Sequence, residues 1–385
     1  MKKLIVFLLT ISMAIAFSFV PTALAQADTQ LVSGVKAAYL TDGSGANTLY
    51  EYHATDRFPI ASMVKIMTAL LSFEEIERGN MSLDETLVIS PQAMGMGGSQ
   101  MFLNAGDPYP VSDLLKGVIV VSANDACVQL AERIAGSEEA FVGMMNDRAA
   151  ELGMTNTHFA NCTGLPHPEG YSCAKDVSVM LRELIQYPTY HEYSRIWLED
   201  YTHPDGRVTT MTNTNKLVRF YEGCNGGKTG YTAEAGFCLA ASATRGGTDA
   251  ISVVIGARDS KSRFAASTTL LNHAFAMIKS VKLATKGETL TEVPVGAGKE
   301  RFVPATVSHD LTEVVLKGEQ PKGVIEYRYD KVKAPLCAGD KVGEAYLVVG
   351  GVVKAQADLV ATVDVEKSTW GDAIEEFLGY YPIKR

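Results

Sequence analysis

The segment Phe58-Pro-Ile-Ala-Ser-Met-Val-Lys-Ile-Met-Thr-Ala-Leu-Leu71 constrains this chain more than any other. Met63, Val64, Ile66, Met67, Leu70 and Leu71 are apolar on almost every side of a helix, and Pro59 sits where such a helix begins. A helix apolar all round belongs inside a core, so Ser62 and Lys65 are carried in with it. Positions i and i+3 share one helix face, which sets hydroxyl and amine opposite each other. Burial and the positive end of the helix dipole both disfavour an ammonium there, pushing Lys65 toward a neutral amine that takes a proton from Ser62. That is the arrangement of an activated serine nucleophile.

Alone the pair carries little weight, because an S-x-x-K match arises roughly once by chance in a chain of this length. Ser33-Gly-Val-Lys36 is such a match, in a strand-like stretch with no helix to align the two side chains. For Ser62 and Lys65 the plain alternative is a helix cap followed by a surface lysine. The rest of the chain decides between them.

A length of 385 residues allows two domains of ordinary size. Hydrophobic content of 46% and charged content of 21% are those of a globular protein. A net charge of −9 with no basic run argues against nucleic acid as a partner. Lys2 and Lys3, the apolar stretch Leu4 to Val20 and the small-x-small site Ala23-Leu-Ala25 read as an export signal over residues 1–25. An uncleaved anchor is the alternative, and either puts the body of the protein outside the cytoplasm. The six cysteines, at 127, 162, 173, 224, 238 and 337, allow fifteen full pairings. Cys162 and Cys173 bracket a loop that a bridge would close, but a core of this size does not need one, and free buried thiols are expected. No C-x-x-C or Cys/His spacing suits a metal, and nothing implies a cofactor.

Short strands at Lys36–Leu40 and Thr48–Tyr52 precede the Ser62 helix. Helical patterns follow at Val111–Val121, Asn124–Ile134, Glu138–Leu152 and Lys175–Gln186, then a polar connection. Strands return at Gly226–Thr232, Phe237–Thr244 and Ala250–Ala257, and a helix at Arg263–Lys279 closes the run. A helical middle between two groups of strands implies an α+β domain, residues 26–282, whose two ends share one sheet. Residues 283–367 hold short alternating strands broken by Gly and Pro and read as a small all-β domain. In the tail, residues 368–385, Trp370, Ile374, Phe377, Leu378 and Tyr381 fall within an arc of roughly 100°. Residues 368–381 either lie on a membrane surface or pack against the β domain.

Two further patterns lift the Ser62–Lys65 pair above chance. Ser122-Ala-Asn124 follows the apolar run Leu114–Val121, and Lys228-Thr-Gly230 lies on an expected strand flanked by Gly226 and Gly227. Glycines there let a substrate backbone run close to the strand edge. Ser62-x-x-Lys65, Ser122-x-Asn124 and Lys228-Thr-Gly230 resemble the active-site set of penicillin-binding proteins and class A β-lactamases. Ala61-Ser-Met-Val-Lys-Ile-Met-Thr68, Gly227-Lys-Thr-Gly-Tyr-Thr-Ala-Glu-Ala-Gly236 and the appended β domain narrow the resemblance to the low-molecular-mass, serine-type D-alanyl-D-alanine carboxypeptidases. A lactamase is the poorer match, lacking residues 283–385 and having Ser-Asp-Asn where this chain has Ser-Ala-Asn.

The resemblance implies a transpeptidase-like sheet-plus-helices domain and removal of the terminal D-Ala from peptidoglycan stem pentapeptides through an acyl-enzyme. β-Lactam antibiotics would be covalent inhibitors, and the place of work the bacterial cell envelope. It makes Ser62 the nucleophile, Lys65 the general base and Ser122 the proton relay. Asn124, Lys228, Thr229, Gly230 and Arg263 would bind substrate, and the backbone N–H groups of Ser62 and Tyr231 would form the oxyanion hole. The chain departs from the family in having Asn225-Gly226-Gly227 where Asp-Gly-Leu is usual. Asp176 reads as a helix cap, and of the histidines His158 and His167 lie nearest the expected cleft. A D,D-endopeptidase or transpeptidase of the same fold, and a catalytically silent wall-binding module, are the alternatives.

Overall fold

A computed structural model describes residues 30–372 and 374. The expected signal segment, and the tail from 375 onward, lie outside the described residues. Strands β1 (Ala37–Asp42) and β2 (Thr48–Tyr52) form a hairpin. The Asp42 carboxylate closes its turn by accepting from Ser44 Oγ (2.7 Å) and the Ala46 N–H (3.2 Å), the usual use of an aspartate in a turn. Helix α1 (Lys65–Glu77) follows, then α2 (Val111–Val120), α3 (Asn124–Ala135), α4 (Glu138–Glu151) and α5 (Ala174–Leu184). Ser137 caps α4 by accepting from the Ala140 N–H, and Gly136 ends α3 at φ +82°. Strands β3 (Cys224–Thr232), β4 (Gly236–Arg245) and β5 (Thr248–Ala257) and helix α6 (Ser260–Met277) complete the domain.

The five strands make one antiparallel sheet in the order β2-β1-β5-β4-β3, so the two ends of the domain share a sheet as expected. Successive residues on a strand point to opposite faces. Val253 and Val254 of β5 are both fully buried, so helices cover both faces of the sheet centre; α5 and α6 pack on this strand. Strand β3 is the sheet edge and pairs with β4 alone among the described strands, which leaves a backbone edge for another chain to use.

The structure differs from the sequence reading in three places. Ser62 lies not in the α-helix but in a 3-10 turn, Ala61–Val64, that leads into it. The polar connection after α5 contains a hairpin, Leu198–Thr202 with Val208–Thr212, whose alternating threonines and apolar residues read as polar loop. Finally, α6 stops at Met277, and from Ile278 the chain turns extended (ψ 157°) into strand Ile278–Ala284. That strand pairs with Leu311–Leu316. Beyond it lies the all-β domain, a six-stranded sheet closed on a core that includes Val293, Val303, Val342, Leu347 and Leu359. All six cysteines are free; five are buried and Cys337 is exposed.

Candidate active site

Burial and backbone geometry together make the Ser62 turn. The 3-10 turn carries Ser62, half-buried, and the first residue of α1 is Lys65, only 1% exposed. Lys65 Nζ lies 3.1 Å from Ser62 Oγ and 2.5 Å from the Thr163 carbonyl oxygen. Burial pulls the Lys65 pKa below the ordinary lysine value of 10.5; the neighbouring Cys127, Cys162 and Asp125 oppose the shift without cancelling it.

Two glycines grip this turn. A Cβ on Gly164 (φ +80°) would stand 2.1 Å from the Ala61 carbonyl oxygen, and one on Gly230 would stand 2.6 Å from the Ile60 carbonyl oxygen. Both would lie about 3 Å from the Ser62 backbone nitrogen, at 2.9 and 3.1 Å. Only glycine permits this approach at both places, and it holds the Ser62 amide against strand β3. The turn itself is strained, with Ala61 at φ +48°.

Lys228 lines one small cavity together with Lys65, and the other expected residues take the following positions. Ser122 is buried at φ +66°, in the bend between α2 and α3. Asn124 opens α3; its Nδ2 donates to the Gly97 carbonyl (2.6 Å) and its backbone N–H to the Ser99 carbonyl (2.7 Å). Lys228, Thr229 and Gly230 are buried on β3, and Tyr231 is exposed beside Phe237. Lys228 Nζ donates to the Thr229 carbonyl (3.1 Å). Its pKa falls well below the ordinary value, first by burial and then by the like charge of Lys65, so the two amines sense each other.

Arg263 has a more local setting than its expected role suggests. It is 8% exposed, and one terminal nitrogen donates to the carbonyls of Gly230 (3.1 Å) and Cys238 (3.3 Å). Its guanidinium lies over the rings of Phe264 and Phe237, and its Nε has no partner among the described residues. Asp176 is not a cap: Cys173 Sγ takes that position, while the Asp176 carboxylate accepts from the Asn156 N–H (2.8 Å) and Thr157 Oγ1 (2.9 Å). Asn225, in place of the usual aspartate, is satisfied by two hydroxyls of β4, donating to Thr244 and accepting from Ser242, each at 2.7 Å. Lys36 of the chance motif donates to the Glu234 carbonyl, away from any serine.

Four residues that support the site were not singled out in the sequence. Asp125 accepts from the Met101 and Leu103 N–H groups, both at 3.1 Å, and so fixes the loop over Asn124. Tyr190 accepts from the Gly227 N–H (2.8 Å), Asn215 donates to the Gly226 carbonyl (3.2 Å), and Thr163 presents its carbonyl to Lys65. Only Asp125 carried a signal, an acid on the apolar side of a helix. A small cleft with room for about 30 Å³ opens beside the Ser62 turn, lined by Ile60, Ala61, His158, Gly164, His167 and Glu234 among others.

With this geometry in view, residues 24–259 match the family model described as D-alanyl-D-alanine carboxypeptidase. The chain belongs to that family. Residues 279–367 match the model of the penicillin-binding protein 5 C-terminal domain. The carboxypeptidase is 37% identical to "D-alanyl-D-alanine carboxypeptidase DacF" of Bacillus subtilis (strain 168), covering 98% of each chain. It is 32% identical to "D-alanyl-D-alanine carboxypeptidase DacC" of Escherichia coli (strain K12), over 95% of this chain and 93% of that one. Among solved structures it resembles penicillin binding protein 5 from Haemophilus influenzae, with TM-score 0.64 and 30% identity over 87% of this chain and 98% of that one. PBP3 from Streptococcus pneumoniae superposes at TM-score 0.69, with 28% identity over 86% and 99%. The carboxypeptidase therefore has the penicillin-binding fold, a sheet-and-helices catalytic domain followed by an all-β domain.

The grip on Ser62 makes a direct test. Gly230→Ala forces the Ile60–Ser62 backbone to shift, and a displacement approaching 1 Å at a nucleophile costs on the order of 100-fold in rate. Stopped-flow acylation by a chromogenic cephalosporin is expected to slow by about that factor, with the circular dichroism spectrum unchanged.

Proposed function

We propose that Ser62 is the acylated nucleophile of a penicillin-sensitive D-Ala-D-Ala carboxypeptidase acting on peptidoglycan stem pentapeptides outside the cytoplasm. The observation that carries the reading is a desolvated Lys65 amine 3.1 Å from a hydroxyl gripped against the open edge of β3. Ser62 Oγ attacks the carbonyl carbon between the two D-alanines and its proton passes to Lys65 Nζ. The C–N bond then breaks, and the departing amine of D-Ala takes up a proton relayed through Ser122. Water adds to the ester, the tetrapeptide leaves, and the Ser62 hydroxyl is restored.

Backbone N–H groups of Ser62 and Tyr231 receive the oxyanion; the closeness of Gly230 to the Ser62 nitrogen supports this pairing of turn and strand. Asn124 holds the substrate backbone; one hydrogen of its Nδ2 goes to the Gly97 carbonyl, which leaves the second and the side-chain carbonyl oxygen for a ligand. Lys228 and Thr229 receive the terminal carboxylate. Arg263 supports the same end of the strand through the Gly230 carbonyl, and its partnerless Nε suits an anion once the groove is filled.

Fluorescent penicillin tests the nucleophile and base together. The wild-type protein is expected to label covalently, Ser62→Ala not at all, and Lys65→Ala at least about 100-fold more slowly. Wild-type rates in Lys65→Ala would assign the base to another group. A lysine base works deprotonated, and burial lowers its pKa, so the working form is already populated below the ordinary lysine range. The acylation rate is expected to rise with pH and to level off below pH 10.5, the ordinary lysine value; an inflection at or above that value contradicts a desolvated base.

The tail is proposed to contact the membrane surface. Thr369 and Asp372 cap a helical turn reciprocally, with the Thr369 N–H donating to the Asp372 carboxylate (2.7 Å) and the Asp372 N–H to Thr369 Oγ1 (3.3 Å). The turn sets Trp370 (89% exposed) and Ile374 (56% exposed) outward. No helix among the described residues is long and apolar enough to cross a membrane. Co-sedimentation with phosphatidylglycerol vesicles is expected for the mature chain and lost on truncation after residue 367; equal binding by both contradicts the proposal.

A further inference from the structure

The loop at residues 161–165 supplies both the Thr163 carbonyl that touches Lys65 and the Gly164 that grips the Ser62 turn, yet it belongs to no helix or strand. Two adjacent carbonyls of this loop turn toward α1. The Cys162 oxygen accepts from Thr68 Oγ1 (2.7 Å) and the Thr163 oxygen from Lys65 Nζ (2.5 Å), residues one turn apart on the helix. An extended chain turns successive residues to opposite sides, so two neighbouring carbonyls on one helix need a bent backbone.

The side chain of Asn161, itself half-buried, makes that bend. Its Oδ1 accepts from the Gly164 N–H (2.6 Å), the Thr163 N–H (3.2 Å) and Thr163 Oγ1 (3.2 Å). Its Nδ2 donates to the Leu165 carbonyl (2.9 Å). An asparagine closing on the backbone two residues ahead imitates a turn, and here the acceptor and donor ends of one amide are used together. Glu138, at the start of α4, holds the loop one residue earlier, at the Cys162 N–H (3.1 Å).

The consequence falls on the lone pair of Lys65. A neutral amine has two N–H groups and one lone pair, and a carbonyl takes only an N–H. The Thr163 oxygen therefore fixes one N–H direction and leaves the lone pair for the Ser62 hydroxyl, 3.1 Å away. Without that anchor an amine on a flexible four-carbon stem has no fixed direction. Cys127 and Asp125 of α3, Cys162 of the loop and Lys228 of β3 are its titratable neighbours, but its hydrogen bonds go to Ser62 and Thr163.

We propose that Asn161 is a positioning residue for the base: its amide folds residues 161–165 so that the Thr163 carbonyl orients Lys65 Nζ with its lone pair on Ser62. The inference rests on Lys65 acting as the base and adds the group that aims it.

The experiment follows acylation by a chromogenic cephalosporin across about pH 6 to 10, with thermal unfolding recorded for each variant. Asn161→Ala removes the acceptor and is expected to slow acylation at least about tenfold at every pH, part of what a general base contributes. Asn161→Asp keeps the acceptor and adds a negative charge one residue from the Lys65 anchor, which favours the ammonium. It is expected to recover most of the wild-type rate at the top of the range, with its inflection displaced to higher pH. Wild-type rates in Asn161→Ala overturn the proposal, as does an Asn161→Asp protein that is as slow as Asn161→Ala throughout or keeps the wild-type inflection. If Asn161→Ala does not fold, the Asn161→Asp profile decides alone. Absence of acylation in the wild-type protein removes the Ser62–Lys65 reading, and the proposal with it.

Discussion

The backbone of Ala61 and Ser62 is pressed between Gly164 on one side and Gly230 on the other, and the remaining features of the site follow from that contact. It joins three stretches far apart in the chain, the turn before α1, the loop after α4 and the sheet edge. Because neither glycine tolerates a Cβ, the Ser62 amide is held next to β3 without any side chain filling the gap. The same contact brings the Thr163 carbonyl, one residue from Gly164, onto the Lys65 amine. Ser62, Lys65 and strand β3 are thus placed by backbone packing, which suits the proposed roles because they need sub-ångström geometry.

Around this grip, buried polar groups are spent on backbone. Asp125 holds the Met101–Leu103 loop, Asn124 holds Gly97 and Ser99, Tyr190 and Asn215 hold Gly227 and Gly226, and Arg263 holds Gly230. Each bond is worth about 1 kcal/mol net, but leaving any one of these groups unpaired in the core would cost more than that. The pattern explains the Asn225-Gly226-Gly227 departure from the family. The Thr244 hydroxyl already donates to Asp249, so an amide at 225 can accept from Ser242 and donate to Thr244 where a carboxylate, acceptor only, could not; and Gly227 at φ +133° runs against the β4 backbone where a leucine side chain has no room.

Much of this was legible from residue order. Periodicity placed the sheet strands and main helices within a few residues, helped where a glycine or a cap marks an end, as Gly136 does after α3 and Ser137 before α4. The three motifs were readable because each sits on a different element that a short pattern suffices to recognise. Other features were not readable. The 3-10 turn at Ser62 depends on Gly164, some hundred residues away, and no local pattern encodes it. The Leu198–Thr212 hairpin has threonines where strands commonly show larger apolar residues, so its alternation was weak. Asp176 looked like a helix cap and Arg263 like a carboxylate anchor at a helix start; only the fold reveals that Asp176 ties down a loop and that Arg263 donates to the Gly230 and Cys238 carbonyls.

The two buried lysines pose the last question. Both are desolvated, and Lys65 further lowers Lys228, so carrying two ammonium ions in this small volume is strongly disfavoured. Their surroundings differ. Lys65 has a hydroxyl and a carbonyl as partners, whereas Lys228 has one carbonyl and stands on the strand proposed to receive a carboxylate. An arriving carboxylate stabilises the ammonium on Lys228 more than on Lys65, and the charge thus fixed on Lys228 repels a second one at Lys65. On the proposed roles, a substrate that carries a terminal carboxylate helps to deprotonate the base that will act on it, whereas an uncharged ester leaves the pair to share its proton. Selectivity for a free C-terminus and activation of Ser62 then have one electrostatic origin.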